Sequence, residues 1–214
     1  MKSPIPDRLK KSRNDLSDYL WHFCREDKQT KTTLLSILDQ KVIRAAKDPG
    51  SGEKVVCFTE APLEEMRRQA PQLRKAMYNR FSLFGIGFRR DFVFKNGGLP
   101  VVYQPAVQLN SLPADYRWRH VEFDLQQGID YTWQREWRIK GDLDFREAST
   151  RATVVVPDAG DFVGELFDIE DDGDVVDKEP VSTPFVRVYW NFVSLDWYPE
   201  PLDDSRIKVV TWTA

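Results

Sequence analysis

Residues 54–80 run KVVCFTEAPLEEMRRQAPQLRKAMYNR, and the change of character inside that stretch decides the fold class. Lys54 to Thr59 is β-branched, aromatic and short, the pattern of a buried strand. The charged segment after it has helical composition, with Pro71 expected to interrupt it. The same pairing occurs once before. SDYLWHFC (17–24) predicts a first strand around Leu20 to Cys24, and Thr32 to Ala46 predicts a helix, since Leu34, Leu35, Leu38 and Val42 recur at helical spacing with Ile37 beside them. Asp48-Pro49-Gly50-Ser51-Gly52 stops it.

Downstream the chain turns strand-rich. SLFGIGFRRDFVF, LPVVYQ, YRWRHVEFDL, TWQREWRIK, ATVVVP, PFVRVYWNFVSL and RIKVVTWT are aromatic or β-branched segments between turn signals, and Gly97-Gly98 after FVFKN predicts a hairpin turn. Two early helices followed by many strands predict an α+β fold with a mixed or antiparallel core. The 214 residues, 41% hydrophobic and 30% charged, suit one compact domain over 16–214. Residues 1–15 are expected to form a flexible basic arm, and 157–214 an acidic extension of the same domain. No run approaches the roughly 18 apolar residues of a membrane span, and the charged N-terminus has no apolar signal core, so the expected location is cytoplasmic.

Net charge is −3, but it is unevenly spread. Residues 1–80 carry a surplus of six positive charges, 81–150 balance, and 151–214 carry a surplus of nine negative ones. An isoelectric point near 5.5 argues against a dedicated nucleic-acid binder. Cys24 and Cys57, the only cysteines, are too few for a disulfide framework or a four-cysteine zinc site, and both read as small buried core residues. His22 and His120 alone make no histidine-rich metal centre. Neither a G-x-S-x-G elbow nor a phosphate-loop or dinucleotide fingerprint is present.

Two acidic groupings admit a metal reading beside a plainer one. Asp168, Glu170, Asp172, Gly173, Asp174 and Glu179 match positions 1, 3, 5, 6, 7 and 12 of a calcium-binding loop, against a solvated acidic loop; Glu170 and the following Pro180 depart from the pattern. Asp91, Glu136 and Lys140 would be the members of a metal-dependent nuclease site, but Arg138 stands where the usual E-x-K element has lysine. No metal is expected. The remaining polar groups sit inside aromatic strands: His22 in WHFC, Thr59 and Glu60 in CFTEAP, and Glu136 in WQREWR. Alternation puts Gln134, Glu136 and Arg138 on one strand face. The plain alternative pairs Glu136 with Arg138, Arg89 or Arg90 in a surface ladder and leaves His22 an ordinary half-buried strand histidine.

The ordered series WHFC, CFTEAPLEE, FGIGFRRDFVFKNGGLPVVYQ and WQREWRI resembles the AbiGi-type abortive-infection family of bacterial proteins, over roughly Leu16 to Val156. Cys24 stands where that family often has Thr, and Gln134 where it has a first Glu. The same order is similar to the ADP-ribosyltransferase fold. That resemblance implies a bacterial antiviral-defence or toxin transferase using NAD as substrate, with His22, Thr59 and Glu136 catalytic. It places His22, Phe23, Thr59 and Tyr103 around NAD, with His22 toward the adenosine-side ribose and Phe23 and Tyr103 flanking the nicotinamide. Asp124 to Thr132 would be the target-recognition loop. Arg67, Arg68, Arg74, Lys75 and Arg80 on the charged helix, with Arg89 and Arg90, read either as groups that draw in a polyanion such as NAD phosphates or nucleic acid or as a plain solvated face. The alternative it leaves is a non-catalytic, antitoxin-like or regulatory partner retaining the fold, working with a protein of the same defence system.

Overall fold

A computed structural model describes residues 17–25, 27–75, 82–162, 164, 166–170, 185–188 and 190–195. The arm 1–15, Arg80 and the acidic stretch 171–184 lie outside them. In chain order the elements are β1 (Tyr19–Phe23), α1 (Thr30–Gln40), β2 (Val42–Ile43), β3 (Ala46–Lys47), β4 (Lys54–Thr59), α2 (Leu63–Lys75), β5 (Gly85–Arg89) and α3 (Arg90–Lys95). There follow β6 (Leu99–Pro100), β7 (Val102–Gln104), β8 (His120–Glu122), β9 (Glu136–Lys140), β10 (Leu143–Asp144), β11 (Thr153–Val156), β12 (Phe167–Glu170), β13 (Phe185–Val188) and β14 (Asn191–Ser194). The fold is α+β, with few helices and a mostly antiparallel, strand-rich sheet.

The main sheet runs β14-β11-β5-β1-β4-β9-β6, with β3 also on β4. Only the β11–β14 pair within it is parallel. Strand alternation divides its side chains between two cores. Leu20, Val56, Phe58, Ile86, Phe88, Ile139, Val154 and Phe192 pack with Leu34, Ile37 and Leu38 of α1 and with Phe92 and Val93 of α3. On the other face Trp21, Phe23, Val155 and Val193 pack with Ala61 and with Leu63 and Met66 from the start of α2.

Several local expectations are corrected. Helix α1 ends at Gln40, short of Ala46, because Lys41 turns left-handed (φ 54°) and Val42–Ile43 pair with β10. Pro71 does not interrupt α2, which runs on to Lys75; a proline removes one amide donor and bends a helix without having to end it. The segment RDFVFK is a helix, not strand: Phe92 and Val93 face the core, and Gly97 (φ 85°) and Gly98 form its exit, the Gly98 N–H donating to Val93 O at 2.9 Å. The expected hairpin at Gly97-Gly98 is therefore a helix C-terminus. In YRWRHVEFDL and TWQREWRIK the first halves are 3-10 turns, Ala114–Arg119 and Thr132–Gln134, and only the second halves are strands. Asp168 and Glu170 lie in β12, paired antiparallel with β13, so the calcium-loop match begins inside a strand.

The Gly-x-Gly of FGIGF gives β1 its close neighbour. A Cβ on Gly87 would lie 2.3 Å from Trp21 Cε3, and one on Gly85 2.7 Å from His22 O, so the aromatic side chains of β1 rest where β5 has no side chain. Gly87→Ala is expected to destabilise the protein by about 1–3 kcal/mol, the range for overpacking a filled core; urea unfolding measures it.

Candidate functional site

The candidates meet around β4. Its neighbours are β1 on one side and β9 on the other, and register sets Thr59 opposite Glu136 and Cys57 opposite Arg138. Cross-strand partners share a face, so Cys57, Thr59, Glu136 and Arg138 project together. That face is closed by Arg138, whose side chain is 6% exposed. Its Nε donates to Glu136 Oε1 at 2.7 Å, Nη1 to the carbonyls of Trp118 and His120 at 3.0 Å each, and Nη2 to Asp48 Oδ1 at 3.2 Å. Glu136 is thus ion-paired to Arg138, as the plainer sequence reading expected, but in a buried network instead of a surface ladder.

Each neighbour of that network is itself held. Burial alone would raise the Asp48 pKa, yet hydrogen bonds from Ser51 and the charge of Arg138 outweigh it and hold the carboxyl below its ordinary value. Tyr103 Oη accepts the Glu136 N–H at 3.1 Å and donates to Tyr131 O at 3.2 Å. Burial pushes its phenol up to about 12, the Glu136 N–H opposing and the Glu136 charge adding. Thr59 Oγ1 donates to Gln134 O and accepts the Ala61 N–H at 3.1 Å, so its hydroxyl ties down the turn that delivers Glu136. In that turn Arg135 is left-handed (φ 46°), and Gln134 belongs to the 3-10 segment, so it does not extend the Glu136–Arg138 ladder.

Cys57 corrects an expectation: Cys24 is buried, but Cys57 is exposed, although Val55 and Thr59 on the same face of β4 are buried. The protein crowded around its sulfur and the Glu136 carboxylate beside it push the thiol pKa up, so it is a poor nucleophile. Burial also pushes Cys24 up to about 12, with the Asp27 charge adding to it.

His22 reaches the same strand from the other face. The β1–β4 ladder consists of the single pair Trp21–Thr59, and beyond it the Cys57 carbonyl takes a hydrogen bond from His22 Nδ1 at 2.8 Å. A carbonyl only accepts, so Nδ1 carries the proton. Burial lowers the His22 pKa against the opposing pull of the Cys57 carbonyl, leaving a neutral ring with Nε2 as acceptor. The ring stands edge-on to Phe58, 5.9 Å between centroids, on the opposite face from Thr59 and Glu136.

The structure therefore brings Thr59, Tyr103 and Glu136 together, sets His22 behind them, and removes Phe23 to the second core, where it is 8% exposed. Glu60, buried beside Thr59, pairs with Arg90 and accepts the Trp137 indole N–H at 3.1 Å. Asp91, the third nuclease candidate with Glu136 and Lys140, pairs with Arg89 and Lys95 on the surface, and Lys140 with Glu53. No three metal-binding side chains gather among the described residues. Arg67 and Arg68 are answered by Glu64 and Glu65. The segment Asp124 to Thr132 is a double turn: Asp124 Oδ1 accepts the Gln126 and Gln127 amides, Asp130 Oδ1 accepts Thr132, and Leu125 stands 68% exposed.

Compared with family models, curated proteins and solved structures, the chain matches none. No helix among the described residues is long and apolar enough to cross a membrane.

Arg138→Met strands the buried Glu136 carboxylate and takes one partner from the half-buried Asp48, and is expected to cost about 3–5 kcal/mol, whereas Glu136→Gln keeps an acceptor for Arg138 and costs about 1 kcal/mol; equilibrium unfolding separates them. The depressed Asp48 pKa contributes stability that is present above the ordinary value of 3.8 and lost as pH falls through the folded value. Asp48→Asn should accordingly flatten the acid limb of unfolding free energy against pH below about 4.

Proposed function

We propose that the protein is an NAD-dependent ADP-ribosyltransferase-like enzyme, of the antiviral-defence kind that its sequence motifs resemble. The observation that carries this reading is strand adjacency. The first-strand His22, second-strand Thr59 and late-strand Glu136 come from distant parts of the chain, yet β1, β4 and β9 are consecutive in the sheet. The strands β1 and β4 hold a single ladder pair, and beyond it His22 Nδ1 donates across to the Cys57 carbonyl.

The chemistry follows from the groups present. Cleavage of the nicotinamide–ribose bond sends its electron pair out with nicotinamide and builds positive charge on the ribose ring. A carboxylate bonded to the ribose 2'-hydroxyl strengthens its hold as that charge grows, which lowers the barrier. Glu136 supplies the carboxylate. His22, neutral with Nε2 as acceptor, accepts a hydrogen bond from a hydroxyl of the other ribose. An acceptor then attacks the anomeric carbon; with Gln134 outside the Glu136 ladder, water, a small molecule or nucleic acid suits that role better than a protein arginine.

A second reading has its own observation. The Glu136–Arg138 pair and the placement of His22 on the opposite face suit a non-catalytic interaction protein that keeps the sheet and has closed the cleft. Incubation with labelled NAD, alone and with cell lysate or nucleic acid, decides between them. Nicotinamide release falling at least about 100-fold in Glu136→Gln is expected, the scale of losing a principal charge-stabilising group. No turnover and no thermal stabilisation by NAD would overturn the first reading in favour of the second.

A further inference from the structure

We infer that Arg138 is a positioning residue for Glu136, so that the buried ion pair aims the carboxylate and does not disable it. This rests on the NAD reading above. A guanidinium that merely neutralised Glu136 would be expected to meet it as a fork, with two parallel bonds to both carboxylate oxygens. Arg138 does not. Its Nε alone bonds Glu136, through Oε1 at 2.7 Å, while Nη1 and Nη2 are spent on Trp118 O, His120 O and Asp48 Oδ1. One carboxylate oxygen is thereby anchored and Oε2 takes no bond from Arg138.

The anchor is rigid because its other ends are backbone and a braced carboxylate. The Trp118 and His120 carbonyls flank the junction of a 3-10 turn with β8, and Asp48 is fixed by the Ser51 amide at 2.8 Å and hydroxyl at 2.7 Å. On the other side Tyr103 Oη accepts the Glu136 backbone N–H. Side chain and main chain of Glu136 are held by separate groups. The charges count the same way: Arg138 serves both Glu136 and Asp48, so the trio is net negative and keeps an anion to offer to a developing cation.

The test is a double-mutant cycle in single-turnover NAD cleavage: wild type, Glu136→Gln, Arg138→Lys and the double variant. Lysine keeps the charge and loses the simultaneous reach to four acceptors. Arg138→Lys is expected to lower kcat about 10–100-fold, the scale of misplacing a reacting group by an ångström, with KM for NAD unchanged within about threefold. The double variant should be no slower than Glu136→Gln alone, since Arg138 acts only through Glu136. Additive losses, or full kcat in Arg138→Lys, overturn the role while leaving the NAD reading standing; an inactive wild type overturns both. Should Arg138→Lys fail to fold, the Nε–H resonance of Arg138 decides instead. It is expected to be slow to exchange and to shift in Glu136→Gln, and an Nε–H insensitive to that change overturns the pairing itself.

Discussion

A guanidinium buried to 6% of its surface has to have its donors answered, because an unpaired charge in the interior costs several kcal/mol. At Arg138 that requirement draws together three separate parts of the chain: the Asp48 turn before β4, the junction of the 3-10 turn with β8 at Trp118 and His120, and β9 itself. Hydrophobic burial presses the sheet faces against their helices without direction. The directional constraint at Arg138 is what sets the irregular segment between β7 and β9 against the sheet, and with it the surroundings of Glu136.

The strands that build the centre of the sheet were legible because each carries its own pattern. Leu20 to Cys24, Lys54 to Thr59 and Thr153 to Val156 are short, largely apolar runs carrying aromatic or β-branched residues. Misreadings occurred where local preference and tertiary demand part company. Phe92, Val93 and Phe94 favour strand, yet α3 needs Phe92 and Val93 on one inward face and a glycine exit at Gly97. Cys57 reads as core from its apolar neighbours, yet it lies exposed between buried Val55 and Thr59 on its face of β4, which no local pattern announces.

The site was half legible for a related reason. The Glu136–Arg138 pair lies two residues apart on one strand, a spacing that sequence alone exposes. Its remaining partners do not announce themselves: two are backbone carbonyls, which any residue carries, and Asp48 sits in a stretch that reads only as a helix stop. The strand order that places His22, Thr59 and Glu136 on consecutive strands is a long-range property, settled by which edges pair and invisible to any local window. The displacement of His22 to the far face follows from the register at Trp21 and Thr59, which is equally nonlocal.

Strand β14 has a bearing on how the chain reaches this state. It lies parallel to β11, a geometry that no tight turn can produce and that requires a long return path. During synthesis β11 therefore emerges well before its outer partner exists, with one row of amides and carbonyls satisfied by β5 and the other open. An open, all-valine-and-threonine edge (Thr153–Val156) is a template for mispairing with another chain. Docking of residues 191–194 closes that edge, and until then it is open to such pairing.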